Sequence, residues 1–236
     1  MRSHYCGGPS HKAMIHRNAG LGVPERAWRG WPGVDRLPVM APEILVPKGY
    51  RAVFVVPHPD DESIGVGGLI SRLATLKRSI LLIAATDGAA SRPGYTSRMP
   101  RRPAETRSLE AWRVAQRLGP RHTTILRSGL EDGEVARVER ELEWRLRGLL
   151  LPSDVVFATW RHDGHPDHDA VGRVAANASA ALLVHLVEVP LWAWQWSFPG
   201  DRRIPWQRVR RIFLDPALRA RNRLSRFARP YEIVFV

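Results

Sequence analysis

At 236 residues with 44% hydrophobic content, the chain suits one α/β domain and can bury its core. No apolar run approaches the about 18 residues of a membrane span, none near the start reads as a signal peptide, and the single cysteine, Cys6, excludes an internal disulfide; together these fit a cytoplasmic location. The formal charge of +13 comes almost wholly from arginine, Lys12, Lys48 and Lys77 being the only lysines, and its even spread does not mark a nucleic-acid surface.

Residues 1–48 are rich in Gly, Pro, His, Arg and Trp without a sustained period, and read as an irregular N-terminal arm ahead of a single domain at 49–236. His4, His11 and His16 belong to that arm. From Tyr50 the pattern becomes regular. The runs "RAVFVV" (51–56), "SILLIAAT" (79–86), "TTIL" (123–126), "DVVFAT" (154–159), "LLVHLVEV" (182–189) and "YEIVFV" (231–236) read as strands. The stronger ones are continuously apolar, as in a parallel sheet covered on both faces. Helical patterns occupy 67–78, 103–119, 135–151 and 167–183, with Gly119 as a C-cap before Pro120. Alternating strands and helices predict an α/β fold: a three-layer, Rossmann-like, doubly wound and mainly parallel sheet. The basic stretch "RRIPWQRVRR" (202–211) reads as a solvated face that can meet an anionic membrane surface. Trp192, Trp194 and Trp196 alternate as on a strand or extended rim. Nothing marks an oligomer interface.

Two acidic-histidine clusters fall at predicted strand ends. "PHPDDESIGVGG" (57–68) follows the first strand, and "RHDGHPDHDAVG" (161–172) follows the fourth. Ligands bind beyond such ends in doubly wound sheets. Together the clusters offer His58, Asp60, Asp61, His165, Asp167 and His168. Two nitrogen donors plus one carboxylate form a catalytic zinc pattern that leaves a position open for water. Asp60 and Asp61 are adjacent, so one can ligate while the other faces the water. His165 and His168, three apart, share a face on a helical first turn. The metal's positive charge also makes neighbouring acids tolerable. The plainer alternatives are turn chemistry for an isolated His-Pro-Asp and helix capping by Asp167 or Asp169. His162 and Asp163 read as rim, and His122 and His185 as ordinary fold residues. Asn177 heads a glycosylation-type triplet inside a predicted helix and is discounted.

The pairing of "PHPDDE" (57–62) with "GHPDH" (164–168) resembles the LmbE-like, or PIG-L, family of zinc-dependent N-deacetylases. "TDGAASRPG" (86–94), "RRPAETR" (101–107), "RLG" (117–119), "GLEDGE" (129–134) and "PLWAWQW" (190–196) resemble it in order, over roughly 50–200. The resemblance implies Zn2+ held by His58, Asp61 and His168, with Fe2+ able to occupy the same set. It implies Asp60 as general base and His165 as acid or oxyanion stabiliser. Asp167 would tune a histidine, and Glu62 would stand behind the ligands or on the surface. Arg102, Glu105, Asp87 and Trp194 are candidate substrate contacts. The substrate implied is a small molecule or glycoconjugate bearing an N-acetylglucosamine-type amide. Departures are Ala89 and Ala90 where many members carry an acid, Asp163 where some carry a tyrosine, and a shorter region before "RPYEIVFV". The alternatives are a metal-dependent hydrolase of another amide or a phosphoester, and a non-catalytic basic binding protein.

Overall fold

The structure is a computed structural model that describes residues 23, 27, 28, 30–87, 123–213 and 231–236. The predicted helix at 103–119, with Arg102, Glu105, Ala89 and Ala90, lies outside the described residues. In chain order the elements are α1 (Pro42–Leu45), β1 (Arg51–Val56), α2 (Asp61–Thr75), β2 (Ser79–Thr86), β3 (Thr123–Leu130), α3 (Glu139–Leu149), β4 (Asp154–Thr159), α4 (Pro166–Leu182), β5 (His185–Val189), α5 (Ala193–Trp196), β6 (Val209–Phe213) and β7 (Tyr231–Phe235).

The sheet runs β3-β2-β1-β4-β5-β7-β6. The pairings from β3 through β5 are parallel, whereas β7 is antiparallel to both β5 and β6. The strand order reverses between β1 and β4, so the topological switch point opens a crevice at their C-terminal ends. Both acidic-histidine clusters start there. The central parallel strands β1, β2 and β4 are almost continuously buried and mostly apolar because both faces are covered, whereas the edge strand β3 is half-exposed. On one face Phe54, Leu82 and Phe157 pack against Leu69, Ile70 and Leu73 of α2. On the other, Val53, Leu81 and Val156 pack against Leu142 and Leu146 of α3 and Val171 and Val174 of α4. Phe54 and Phe157 stack across β1 and β4 at 4.6 Å. This bears out the α/β three-layer expectation.

Several boundaries differ from the sequence reading. The strand expected at 182–189 starts at His185, because α4 runs on to Leu182 and Leu183 turns the chain at φ 56°. The helix expected at 135–151 divides into a 3-10 turn, Val135–Arg137, and α3. The basic stretch at 202–211 is not simply a solvated face. Its end enters β6, where Val209 and Ile212 are fully buried. The three tryptophans lie on α5 and its N-cap, not on a strand. Within residues 1–48, Trp28, Val34, Leu45 and Val46 are buried. Trp28 donates from Nε1 to the carbonyl of Trp194 at 3.2 Å, and its ring meets that of Trp194 edge-on at 5.1 Å.

The helix expected from Gly67 begins at Asp61, but Val66 departs from helical geometry (φ −141°, ψ 26°). The break leaves the amides of the second segment without helical partners. Glu232 of β7 supplies them, accepting from Gly68 N at 2.6 Å and Leu69 N at 2.8 Å. Burial pushes its carboxyl up to about 7, against the pull of these two bonds. At the other cluster, Gly172 lets α4 close on β4, since a Cβ there would meet the carbonyl of Thr159 at 2.5 Å.

Candidate metal centre and active site

The loop after β1 places His58 in the crevice, and α2 starts three residues later, at Asp61. Asp60 is the N-cap of α2 at φ 98°, a left-handed conformation that Asp tolerates better than most residues. Glu62, fully buried, steadies this turn by accepting from Asp60 N at 3.1 Å. Asp60 is exposed and makes no side-chain cap bond, so its carboxylate is not committed to the helix end. Asp61 points inward, accepting from His58 N at 3.0 Å with Oδ2.

From the other side of the switch point, α4 contributes its first turn. His165 is the N-cap, and its Nδ1 accepts from Asp167 N at 3.2 Å. In the neutral ring the proton therefore sits on Nε2. Asp167 and His168 are fully buried. The ring centroid of His58 lies 5.2 Å from that of His165 and 5.5 Å from that of His168.

His58, Asp61 and His168 each present a ligand atom within 4.8 Å of the others. Asp61 Oδ2 lies 3.2 Å from His58 Nδ1 and 3.4 Å from His168 Nε2. Ligands of a tetrahedral zinc about 2.0 Å away would stand about 3.3 Å apart, so these spacings fit. A second observation agrees. His168 Nε2 is buried and has no hydrogen-bond partner, whereas Nδ1 lies 2.8 Å from Asp163 Oδ2. A buried nitrogen lone pair beside a carboxylate is what a divalent cation would use. His58, His165 and Asp167 form an overlapping group that shares the His58 ring.

The electrostatics show how strongly the cluster attracts positive charge. Burial alone would lower the pKa of His58, but Asp132, Asp167 and Asp61 carry it up to about 12. Burial likewise opposes charge on His168, and Asp61 and Asp163 raise it nonetheless. Burial would raise Asp61, yet His168 and His58 bring it below the usual carboxylate range. His165 goes the other way, down to about 4, through burial and then the positive charge of His168 and His58. Burial lifts Glu62 to about 7.

Two acids were missed as site residues. Asp132, in the loop after β3, sets Oδ1 2.8 Å from His58 Nε2. Only its place in "GLEDGE" beyond a strand end hinted at this. Asp163, expected at the rim, is instead fully buried against His168. Asp167 lies where a histidine-tuning residue was expected, with Oδ2 3.1 Å from His58 Nε2 and also accepting from Gly133 N at 2.7 Å. Of the candidate substrate contacts, the two that fall within the described residues, Asp87 and Trp194, are not drawn into the centre. Asp87 pairs with Arg127 at the end of β2. Trp194 packs on Trp28 and donates from Nε1 to the carbonyl of Pro190 at 2.9 Å. Trp192 is the tryptophan beside the histidines, its ring 5.3 Å from that of His165.

Residues 53–179, more than half the chain, match the PIG-L family, described as GlcNAc-PI de-N-acetylase. The chain belongs to the PIG-L family. Both clusters, most of β1, β2 through β4 and most of α4 fall inside the matched segment; Trp28, α5, β6 and Glu232 fall outside it. A deacetylase–teicoplanin complex from the teicoplanin biosynthesis pathway superposes with a TM-score of 0.60 at 13% identity, covering 78% of this chain and 97% of that one. The zinc-inhibited form of teicoplanin deacetylase Orf2 gives 0.56 at 15% identity, covering 73% and 80%. The conserved protein TT1542 from Thermus thermophilus gives 0.48 at 27% identity, covering 60% of this chain and 66% of that one. The first two likenesses establish a shared fold with this PIG-L family member. No curated protein sequence matches the chain significantly. Among the described residues, no helix is long and apolar enough to cross a membrane.

Proposed function

We propose that the protein is a metal-dependent hydrolase that removes an N-acetyl group from an N-acetylglucosamine-type amine on a glycoconjugate or natural product. The observation that carries the reading is the buried, partnerless Nε2 of His168, facing Asp61 and His58 at a switch-point crevice, in a chain of the PIG-L family. His58, Asp61 and His168 would hold Zn2+, or Fe2+ in its place. When bound, the cation supplies an acidified water and Lewis acidity at the amide carbonyl.

The chain's own groups divide the remaining work. Asp60, exposed and uncommitted to the helix cap, takes the proton of the attacking water. His165 sits across the crevice with Nδ1 occupied by Asp167 N, so Nε2–H can donate to the developing oxyanion or the departing amine. Asp132 and Asp167 hold the His58 ring from its Nε2 side, which turns Nδ1 towards Asp61. Trp192 lines the crevice beside His165 and offers a face on which a sugar ring can rest.

The test is acetate release from a panel of N-acetylglucosamine conjugates by zinc-loaded protein, beside Asp60→Asn. Loss of a general base lowers the rate by about 10²- to 10⁴-fold. Equal acetate release by the two proteins refutes the role of Asp60. No acetate from any conjugate by a metal-loaded parent refutes the substrate class.

A further inference from the structure

We propose that Asp163 is a positioning residue that sets the ligating tautomer of His168 and, with the same carboxylate, anchors the aromatic wall that carries Trp192. The inference rests on the metal site proposed above.

Asp163 is fully buried, and four N–H groups converge on its carboxylate. Oδ2 accepts from Trp192 N at 3.0 Å and stands 2.8 Å from His168 Nδ1. Oδ1 accepts from Leu191 N and Ala193 N, both at 2.9 Å. A carboxylate offers only acceptors, about four lone-pair sites on two oxygens, so these four donors fill it. Facing an acceptor, His168 keeps its proton on Nδ1, which leaves the Nε2 lone pair for the metal. The three amides are consecutive and lead into α5, so the same group fixes where Trp192 stands, 5.3 Å from the ring of His165. The backbone of Asp163 adds to the anchor, its carbonyl accepting from Trp196 Nε1 at 2.6 Å. The next residue must be small for that indole to arrive. Gly164 has φ +93°, and a Cβ there would lie 2.6 Å from Trp196 Nε1. One side chain thus ties the second metal-ligand motif to a wall that lies beyond the family match.

Asp163→Asn separates this role from simple burial. An amide has one acceptor oxygen, so whichever way it turns its NH2 faces a pair of N–H donors. Turned towards His168, it drives the ring proton to Nε2 and removes the ligand. Turned the other way, it releases the amides of Leu191 and Ala193. Three measurements test the inference, with Asp201→Asn as the control because Asp201 is equally buried but pairs with Arg203 away from the centre.

Chelator competition with Co(II) is expected to show affinity about ten- to a hundredfold weaker in Asp163→Asn and unchanged in Asp201→Asn. Amide hydrogen exchange is expected to show protection lost over 191–193 in Asp163→Asn alone. Nitrogen NMR of the parent loaded with Zn(II) is expected to show His168 protonated on Nδ1, a readout that does not require the variant to fold. Parental Co(II) affinity in an Asp163→Asn protein that has lost protection at 192, protection retained throughout 191–193, a parent that binds no Co(II), or an Nε2–H tautomer of His168 in the parent overturns the inference. A parent that binds Co(II) and meets all three expectations but releases no acetate refutes the deacetylase reading and leaves the role of Asp163 standing.

Discussion

Replacing Trp28 with alanine tests whether the segment ahead of the family match is integral to the fold. Trp28 is buried to 3% exposure, and its ring meets those of Trp194 at 5.1 Å, Trp31 at 6.2 Å and Trp206 at 6.5 Å. Truncating a buried Trp costs about 3–5 kcal/mol, and edge-on aromatic pairs place this one towards the upper end. The lost bond from Nε1 to the carbonyl of Trp194 is worth about 1 kcal/mol within that range. Trp28→Phe keeps most of the apolar volume, so its expected loss is about 1–2 kcal/mol, mainly the hydrogen bond and some packing. Urea unfolding measures both, with an unchanged dependence on denaturant showing that the unfolded states are comparable. Trp194 heads the turn that Asp163 anchors, so Trp28→Ala should also increase exchange at 193–196. A loss below about 1 kcal/mol for Trp28→Ala, against the range expected for a buried Trp, would refute the reasoning and leave the segment as a loose appendage.

Glu232→Gln replaces two acceptor oxygens with one, and its effect depends on pH. The folded pKa of Glu232, about 7, lies above its unfolded value, so its stabilising contribution is greatest when protonated and falls as pH rises from about 4.5 to 7. The parent should therefore lose up to ~3 kcal/mol more than Glu232→Gln between pH 5 and pH 8 in urea unfolding, and parallel curves would refute this. Metal affinity should strengthen with pH, because His58 and His168, both raised, must each give up a proton to ligate. Calorimetric titration with Zn(II) should show about one to two decades of affinity per pH unit between pH 6 and 8, with proton release; a flat profile would refute ligation by these histidines.

The parallel strands were legible because burial on both faces leaves unbroken apolar runs such as "AVFVV" and "DVVFA", whose order implies the switch point. The histidine clusters stood out because several ligand types recur within a few residues. Asp132 and Asp163 did not, since each directly precedes a glycine, the ordinary composition of a turn. What makes them functional is which histidine nitrogen they face, a matter of tertiary placement. Strand β6 was hidden because "VRRIF" reads as a basic surface, although Arg211 runs its guanidinium to the backbone carbonyl of Asp35 at 2.8 Å and so lies partly inside. The tryptophans alternate like a strand, but Asp163 gathers three consecutive amides and winds them into a turn. That is why Trp192, and not Trp194, stands beside His165.

The break at Val66 gives the protein a timetable. The amides exposed by the break find their acceptor in Glu232, 164 residues after Gly68. At about 5–20 residues per second, a ribosome needs roughly ten to thirty seconds to make that stretch. Throughout that interval the turn bearing Asp60 and Asp61 has emerged while the helix behind it lacks its clamp. A metal ion meeting the nascent chain would find a ligand set whose backing is unfinished. The backing of that turn is therefore finished only when β7 arrives, and maturation of the centre is tied to synthesis of a strand that inserts between β5 and β6.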